Sequence, residues 1–321
     1  MRLRRACEHL GPPGTTGTTD TRLRGAGRLN PPSMHPLLQT ARPPQWLKNA
    51  LVFGAPLAAG VLDEPDQLGR VLLAFVAFCI GSSGTYFWND VLDVDADRQH
   101  PAKASRPVAS GQVSLATARI VGSAAILVSI VVMSATGRPE AVLVLVGYLV
   151  LTLSYSVVWK HIAVLDLAAI AGGFVLRAMG GAAAVDVRMS SWFVLVTAFG
   201  ALFVVAGKRL AEARDLGGGG VDVRSTLGDY SEGFLRFVMA TSCVGAVVSY
   251  GVWAFETRDL ARSDLPYAEL SIVPVLIAFF RYAYVLERGA GAAPEDVFGR
   301  DRVIQVLGLL WLVVFGAAVY A

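Results

Sequence analysis

The chain has 321 residues, of which 54% are hydrophobic and 17% charged, and its mean hydropathy is +0.54. A soluble globular domain carries about 25% charged residues, so this composition excludes an ordinary water-soluble fold and requires lipid against much of the surface. The net charge of +3 gives no ground for nucleic acid as a partner, and three scattered cysteines (Cys7, Cys79 and Cys243) exclude a disulfide framework.

Residues 1–40 are rich in Gly, Pro, Thr and Arg and hold no apolar run. A secretory signal needs about 7–15 apolar residues in a row, so this stretch reads as a disordered basic tail. Beyond it, nine stretches reach or approach the roughly 20 apolar residues of a membrane helix. They are 46–62, 68–88, 115–136, 141–158, 164–184, 192–206, 234–255, 270–286 and 303–320. The first and sixth are short. The fifth is interrupted by Gly172, Gly173, Gly180 and Gly181, small residues that let neighbouring helices approach closely. The fold class that follows is all-α, a polytopic membrane bundle of about nine transmembrane helices, with residues 41–321 as its single domain.

With the N-terminus in the cytoplasm, twenty of the 28 Lys and Arg residues lie on the cytoplasmic side. Five (Arg70, Arg138, Arg188, Arg258 and Arg262) lie on the opposite side. This asymmetry is that of a multi-pass protein of the cell inner (plasma) membrane. The two longest polar connections, 89–114 and 208–233, then face the cytoplasm, and the active site is expected there.

The sharpest signal is the run from Asn89 to Asp97, Asn-Asp-Val-Leu-Asp-Val-Asp-Ala-Asp. At about 100° per residue, Asp90, Asp93 and Asp97 share one narrow helical stripe while Asp95 points away into solvent. Carboxylates crowded on one face repel one another unless a cation sits between them. Mg²⁺ bridging a diphosphate fits, since it takes one or two carboxylates with phosphate oxygens and water. The plain alternative is an acidic helix end in solvent, which the direct continuation from an apolar span disfavours. An EF-hand is excluded, because the glycine and terminal glutamate of that loop are missing.

The next segment, 98–107, carries Pro101 and Pro107, which favour a constrained loop. It would bring Lys103 and Arg106 near the acidic stripe, with His100 in a structural role. Lysine is scarce: 24 arginines stand against Lys48, Lys103, Lys160 and Lys208. Each lies beside a span end on the cytoplasmic side, where a compact ammonium suits a phosphate. Between spans four and five lie Tyr155, Lys160, His161 and Asp166, with Tyr155 readable as an interfacial aromatic or a substrate contact. Arg177 falls inside span five, where an ionisable residue is paired or functional. After span six, Lys208, Glu212 and Asp215 share a helical face beside Arg209; a salt-bridged helix end is the plain alternative. Gly217–Gly220 then breaks the helix and reads as a mobile lid.

At these residues the sequence resembles the UbiA-type intramembrane prenyltransferase superfamily. Asn89, Asp90, Asp93 and Asp97 match its first acidic motif, Asn-Asp-x-x-Asp-x-x-x-Asp, in full. The likeness covers nearly all of the chain after Arg42. It implies a UbiA-like bundle with Mg²⁺ held at Asn89, Asp90, Asp93 and Asp97, the three aspartates being the candidate catalytic residues. Ordinary members carry a second aspartate motif after span six. Here Lys208-Arg209-Leu210-Ala211-Glu212 stands where Asp-x-x-x-Asp is expected.

That departure, with segments 42–49, 98–107, 160–166 and 207–212, resembles the decaprenyl-phosphate phosphoribosyltransferase family. The family moves 5-phosphoribose from phosphoribosyl pyrophosphate to a polyprenyl phosphate, giving a precursor of cell-wall arabinan. The narrower resemblance implies Lys48, Lys103, Arg106 and Lys160 on donor phosphates. It places Lys208, Arg209 and Glu212 on either the ribose 5-phosphate or the lipid phosphate, with the lipid tail in a groove between spans. One rival is prenyl transfer to an aromatic or haem acceptor, against which the basic second motif argues. Another is a transporter of a phosphorylated metabolite, which would place its polar groups near the bilayer midplane. The oligomeric state, a homo-oligomer included, is left open by the sequence.

Overall fold

The computed structural model describes residues 34–216, 230–258, 265–288 and 294–320, all helix and connecting turns. The tail 1–33, the Gly217–Gly220 lid and the side chain of Asp215 lie outside the described residues. The stretch read as tail ends earlier than its composition suggested, because helix α1, Pro36–Ala41, already packs Leu37 and Ala41 against Phe87 and Val91. Pro36 stands at the start of α1, where a missing N–H is no loss.

Among the described residues, eight segments are long and apolar enough to cross a membrane. They are α3 (Pro65–Leu92), α5 (Leu115–Ser134), α6 (Pro139–Val157), α7 (Leu165–Ala184), α8 (Ser191–Leu216), α9 (Glu232–Arg258), the pair α10 (Tyr267–Leu270) and α11 (Ile272–Glu287), and α13 (Arg302–Tyr320). Short helices α4 (Val94–Gln99) and α12 (Pro294–Arg300) sit at one end of the bundle. The protein is thus an all-helical polytopic membrane bundle. Lipid-facing residues such as Ile120, Val131 and Leu143 are each 70% exposed, an arrangement that favours hydrocarbon over water as their surroundings.

The ninth expected span, 46–62, is not a regular helix. It is a 3-10 helix of 11 residues, Pro43–Phe53, followed by α2, Gly54–Ala58. At about 2.0 Å rise per residue the 3-10 part reaches about 22 Å, so it still penetrates deeply. This segment approaches α7 closely. A Cβ on Gly181 of α7 would stand 1.8 Å from the Val52 carbonyl oxygen. Of the four glycines of span five, Gly181 thus receives a backbone, as its small size suggested, while Gly180 receives the Phe78 ring and Gly172 the end of Leu151; the slimmer 3-10 helix lies against Gly181.

Sequential helices pack as antiparallel neighbours: α3 on α5, α6 on α7, α8 on α9. One core gathers Phe78, Met133, Leu145 and Tyr148, and a second Phe203, Leu210, Leu235 and Tyr282. This alternation brings the C-terminal ends of α3, α6, α8 and α11 to the same end as the N-terminal ends of α5, α7, α9 and α13. Nearly every residue singled out for chemistry lies there.

Candidate active site

The acidic stripe is built by α3 running into α4. Asp93 leaves the helical conformation (φ −96°, ψ 5°), yet its N–H still donates to Asn89 at 2.9 Å and its carbonyl accepts from Asp97 at 2.8 Å. The turn is therefore a kink and the stripe survives it. Asp90 and Asp97 are buried, Asp93 half-buried and Asp95 exposed, as the helical angles required. Arg106 Nη1 lies 2.6 Å from Asp97 Oδ2 and 3.5 Å from Asp90 Oδ1, so the two carboxylates share one guanidinium. Arg42 also pairs with Asp90, and Lys160 with Asp93. The Asn89 side-chain oxygen accepts from Ser156 Oγ at 3.0 Å.

Segment 100–113 is a chain of turns, as its prolines demand, and it is pinned by buried Val108 and Val113. His100 Nδ1 accepts from Ala102 N at 3.1 Å, a structural role. Lys103 lies on the same turns, its N–H donating to the His100 carbonyl at 3.1 Å. Among the described residues no group of three His, Cys, Asp or Glu side chains is placed to hold a metal ion by itself.

The second group of residues surrounds the mouth of a cavity of about 760 Å³. Lys48, Tyr155, Lys208 and Arg209 line one end, and aromatic residues such as Phe174, Trp253, Phe279 and Phe315 line the rest. Along α8 the lining runs from Phe193 to Lys208, about 22 Å at 1.5 Å per residue, most of the roughly 30 Å hydrocarbon layer. Arg209 is buried and committed to protein partners. It donates to Glu212 at 2.8 Å, to Asp166 at 3.2 Å and to the Tyr155 hydroxyl at 3.4 Å. Lys208 is different: among the described residues it has no ion-pair or hydrogen-bond partner, and its half-buried side chain faces the cavity. Lys48 donates to Gln45.

Consecutive residues Tyr155 and Ser156 connect the two groups, one lining the cavity and the other bonded to Asn89. The connection 158–165 does the same, since Lys160 reaches Asp93 while Asp166, at the start of α7, reaches Arg209. Several contributors were not singled out from the sequence. Arg42 was read only as part of a segment, yet it holds Asp90. Tyr230 donates to Asp166 and accepts from the N–H of Val164. Burial and the bond to Asp166 push its phenol up to about 12. Arg177 is buried inside the bundle and paired, as expected, but with neutral partners: Asn49 Oδ1 at 2.7 Å, the Tyr148 hydroxyl at 2.8 Å and the Gly173 carbonyl at 2.9 Å. That triad ties the 3-10 helix to α7.

Residues 50–299 match the UbiA prenyltransferase family. Decaprenyl-phosphate phosphoribosyltransferase of Corynebacterium glutamicum is 40% identical over 287 residues, 88% of this chain and 86% of that protein. The enzyme of the same description from Mycobacterium tuberculosis is 40% identical over 289 residues, 88% of this chain and 94% of its own. Among solved structures, a UbiA homolog from Archaeoglobus fulgidus bound to GPP and Mg²⁺ superposes with a TM-score of 0.65 at 16% identity, covering 88% of this chain and 99% of that one. At that identity the likeness concerns the fold.

Proposed function

The chain belongs to the UbiA prenyltransferase family, and we propose that within it the protein is a decaprenyl-phosphate phosphoribosyltransferase, moving 5-phosphoribose from phosphoribosyl pyrophosphate to a polyprenyl phosphate. The relatives at 40% identity support this reading. The observation that carries it is Lys208 unpaired among the described residues at the mouth of a membrane-deep apolar cavity, where ordinary family members are expected to carry an aspartate. An apolar cavity ending in a lysine suits a lipid that bears a phosphate.

The division of labour follows from the two groups. The cavity and its mouth take the acceptor, with the tail among the aromatics and Lys208 at its phosphate; Lys48, expected on the donor phosphates, lines the same mouth and is reassigned to the acceptor. The acidic stripe takes the pyrophosphate of the donor, with Arg106, Lys103 and Lys160 beside it. The donor set there is wholly oxygen: Asn89, Asp90, Asp93 and Asp97. Two of its carboxylates already stand close enough to share one positive charge. Such a set fits Mg²⁺, which relies on one or two carboxylates and substrate phosphates rather than a closed cage. When bound, the ion supplies charge neutralisation at the diphosphate oxygens.

The chain's own residues then hold the acceptor oxygen in line with C1 of the ribose. The new O–C1 bond forms as the C1–O bond to pyrophosphate breaks, and the bonding electrons leave with pyrophosphate. A phosphate monoester with a second pKa near 6 is largely dianionic at pH 7, so no strong general base is required. Rate enhancement comes from positioning and from cations around the leaving group. The positive-inside asymmetry supports a cytoplasmic orientation for this end, where a soluble sugar diphosphate is available.

The test offers purified protein labelled phosphoribosyl pyrophosphate and decaprenyl phosphate. Labelled lipid should form with Mg²⁺ and not with EDTA, and geranyl diphosphate with an aromatic acceptor should give no product. Prenyl transfer without phosphoribosyl transfer would refute the reading.

A further inference from the structure

Val164 occupies φ +71°, ψ −43°. A β-branched residue is a genuine outlier at positive φ, and such strain persists only where the surroundings hold it, often beside a functional site. Here the strained residue lies in the connection between Lys160, paired with Asp93, and Asp166, paired with Arg209. Its N–H is held by the Tyr230 hydroxyl, which in turn donates to Asp166 Oδ1. The second lone pair of that carboxylate oxygen accepts from Leu167 N at 2.8 Å. Tyr230 and Asp166 are both buried, so water does not readily replace the bond between them.

We infer that Tyr230 is a positioning residue for the transfer: its hydroxyl clamps the strained connection so that Lys160 and Arg209 stand at a fixed separation, one at the donor side and one at the acceptor side. This rests on the phosphoribosyl-transfer reading. Tyr230 does not line the cavity. It comes from the segment before α9, and by holding Val164 and Asp166 together it locks the connection that leads from Lys160 into α7. Burial and the bond to Asp166 raise the phenol to about 12, so the hydroxyl keeps its proton to donate through the neutral range.

The test is Tyr230→Phe, with steady-state transfer measured for each substrate varied separately and the rate normalised to folded protein. Losing a hydrogen bond to a charged group should lower kcat about ten- to hundred-fold and leave both KM values little changed, because neither binding surface is removed. Glycine adopts positive φ without strain, so Val164→Gly should be tolerated alone and should return part of the rate lost in Tyr230→Phe. Should Tyr230→Phe alone fail to fold, the double variant is expected to recover folding and transfer together. An equal loss in both backgrounds, an unfolded or inactive double variant, or a KM change confined to one substrate would overturn the clamp. Failure of the unaltered protein to transfer phosphoribose would instead overturn the reading beneath it.

Discussion

Replacing Lys208 with alanine separates the two halves of the proposed site. Lys208 lines the cavity mouth and, among the described residues, makes no ion pair. Its removal should therefore leave the thermal stability in detergent unchanged. A charge-assisted hydrogen bond to phosphate contributes about 1.5–3 kcal/mol, so the KM for decaprenyl phosphate should rise roughly ten- to over a hundred-fold. The KM for phosphoribosyl pyrophosphate should stay near its original value, because the donor lies at the acidic stripe. Arg209 would not serve in this experiment. Its truncation strands Asp166, which is 0% exposed, and breaking a buried pair costs about 3–5 kcal/mol, so folding and binding would fail together. The assay is steady-state transfer in detergent, each substrate varied at a saturating level of the other. A rise in the donor KM with the acceptor KM unchanged would refute the assignment of Lys208 to the lipid phosphate.

Asp93→Asn should abolish most transfer while Asp95→Asn stays near wild type, since Asp93 is 25% exposed and paired with Lys160 whereas Asp95 is 87% exposed; equal sensitivity in the transfer assay would defeat the one-face argument. Gly181→Ala should destabilise by about 1–3 kcal/mol or more, because the new methyl meets backbone at 1.8 Å, whereas Gly172→Ala meets only the movable end of Leu151 at 3.2 Å; melting curves of the two variants decide it. Asp301 accepts from Arg281 Nη2 at 2.9 Å and Nε at 3.1 Å, and these bonds hold its carboxyl below the ordinary range. A depressed folded-state pKa adds stability above the unfolded value and loses it as pH falls through the folded one. Asp301→Asn should accordingly melt below wild type at pH 7, with the gap closing below about pH 4.

What was legible in the sequence depended on the range of the interaction. Spans are written in local composition, and eight of nine appear among the described residues as helical segments long enough to cross a membrane, one of them broken at Ser271. The acidic stripe was legible because Asp90, Asp93 and Asp97 lie within two helical turns, and angle alone separates them from Asp95. The ninth span misled for the opposite reason. Its backbone packs against Gly181, far along the chain, whose missing side chain admits Val52. Nor does periodicity announce that Arg42 would serve Asp90, that Arg177 would bond Asn49, or that Tyr230 would reach Asp166. Each is a long-range pair created by the helix order. The basic residue Arg209 shows the same limit from the other side. Its neighbour Glu212 was visible at i+3, but Asp166 was needed to reveal that its charge is already spent within the protein.

That commitment of Arg209 sharpens the meaning of the altered second motif. In the ordinary pattern two aspartates at this helix end would require metal before any phosphate could approach. Here Glu212 and Asp166 are both engaged by Arg209, and Lys208 presents its ammonium to the cavity without a protein carboxylate against it among the described residues. A fixed ammonium attracts a dianion directly and demands no particular geometry of it. A substrate that arrives with its own charge and a long apolar tail needs only this much at the mouth. The carboxylates, with their affinity for a divalent cation, can then be confined to the side where a diphosphate must leave. On the proposed reading, phosphoribosyl rather than prenyl transfer goes with positive charge held by the protein at one half of the site and an intact acidic motif at the other.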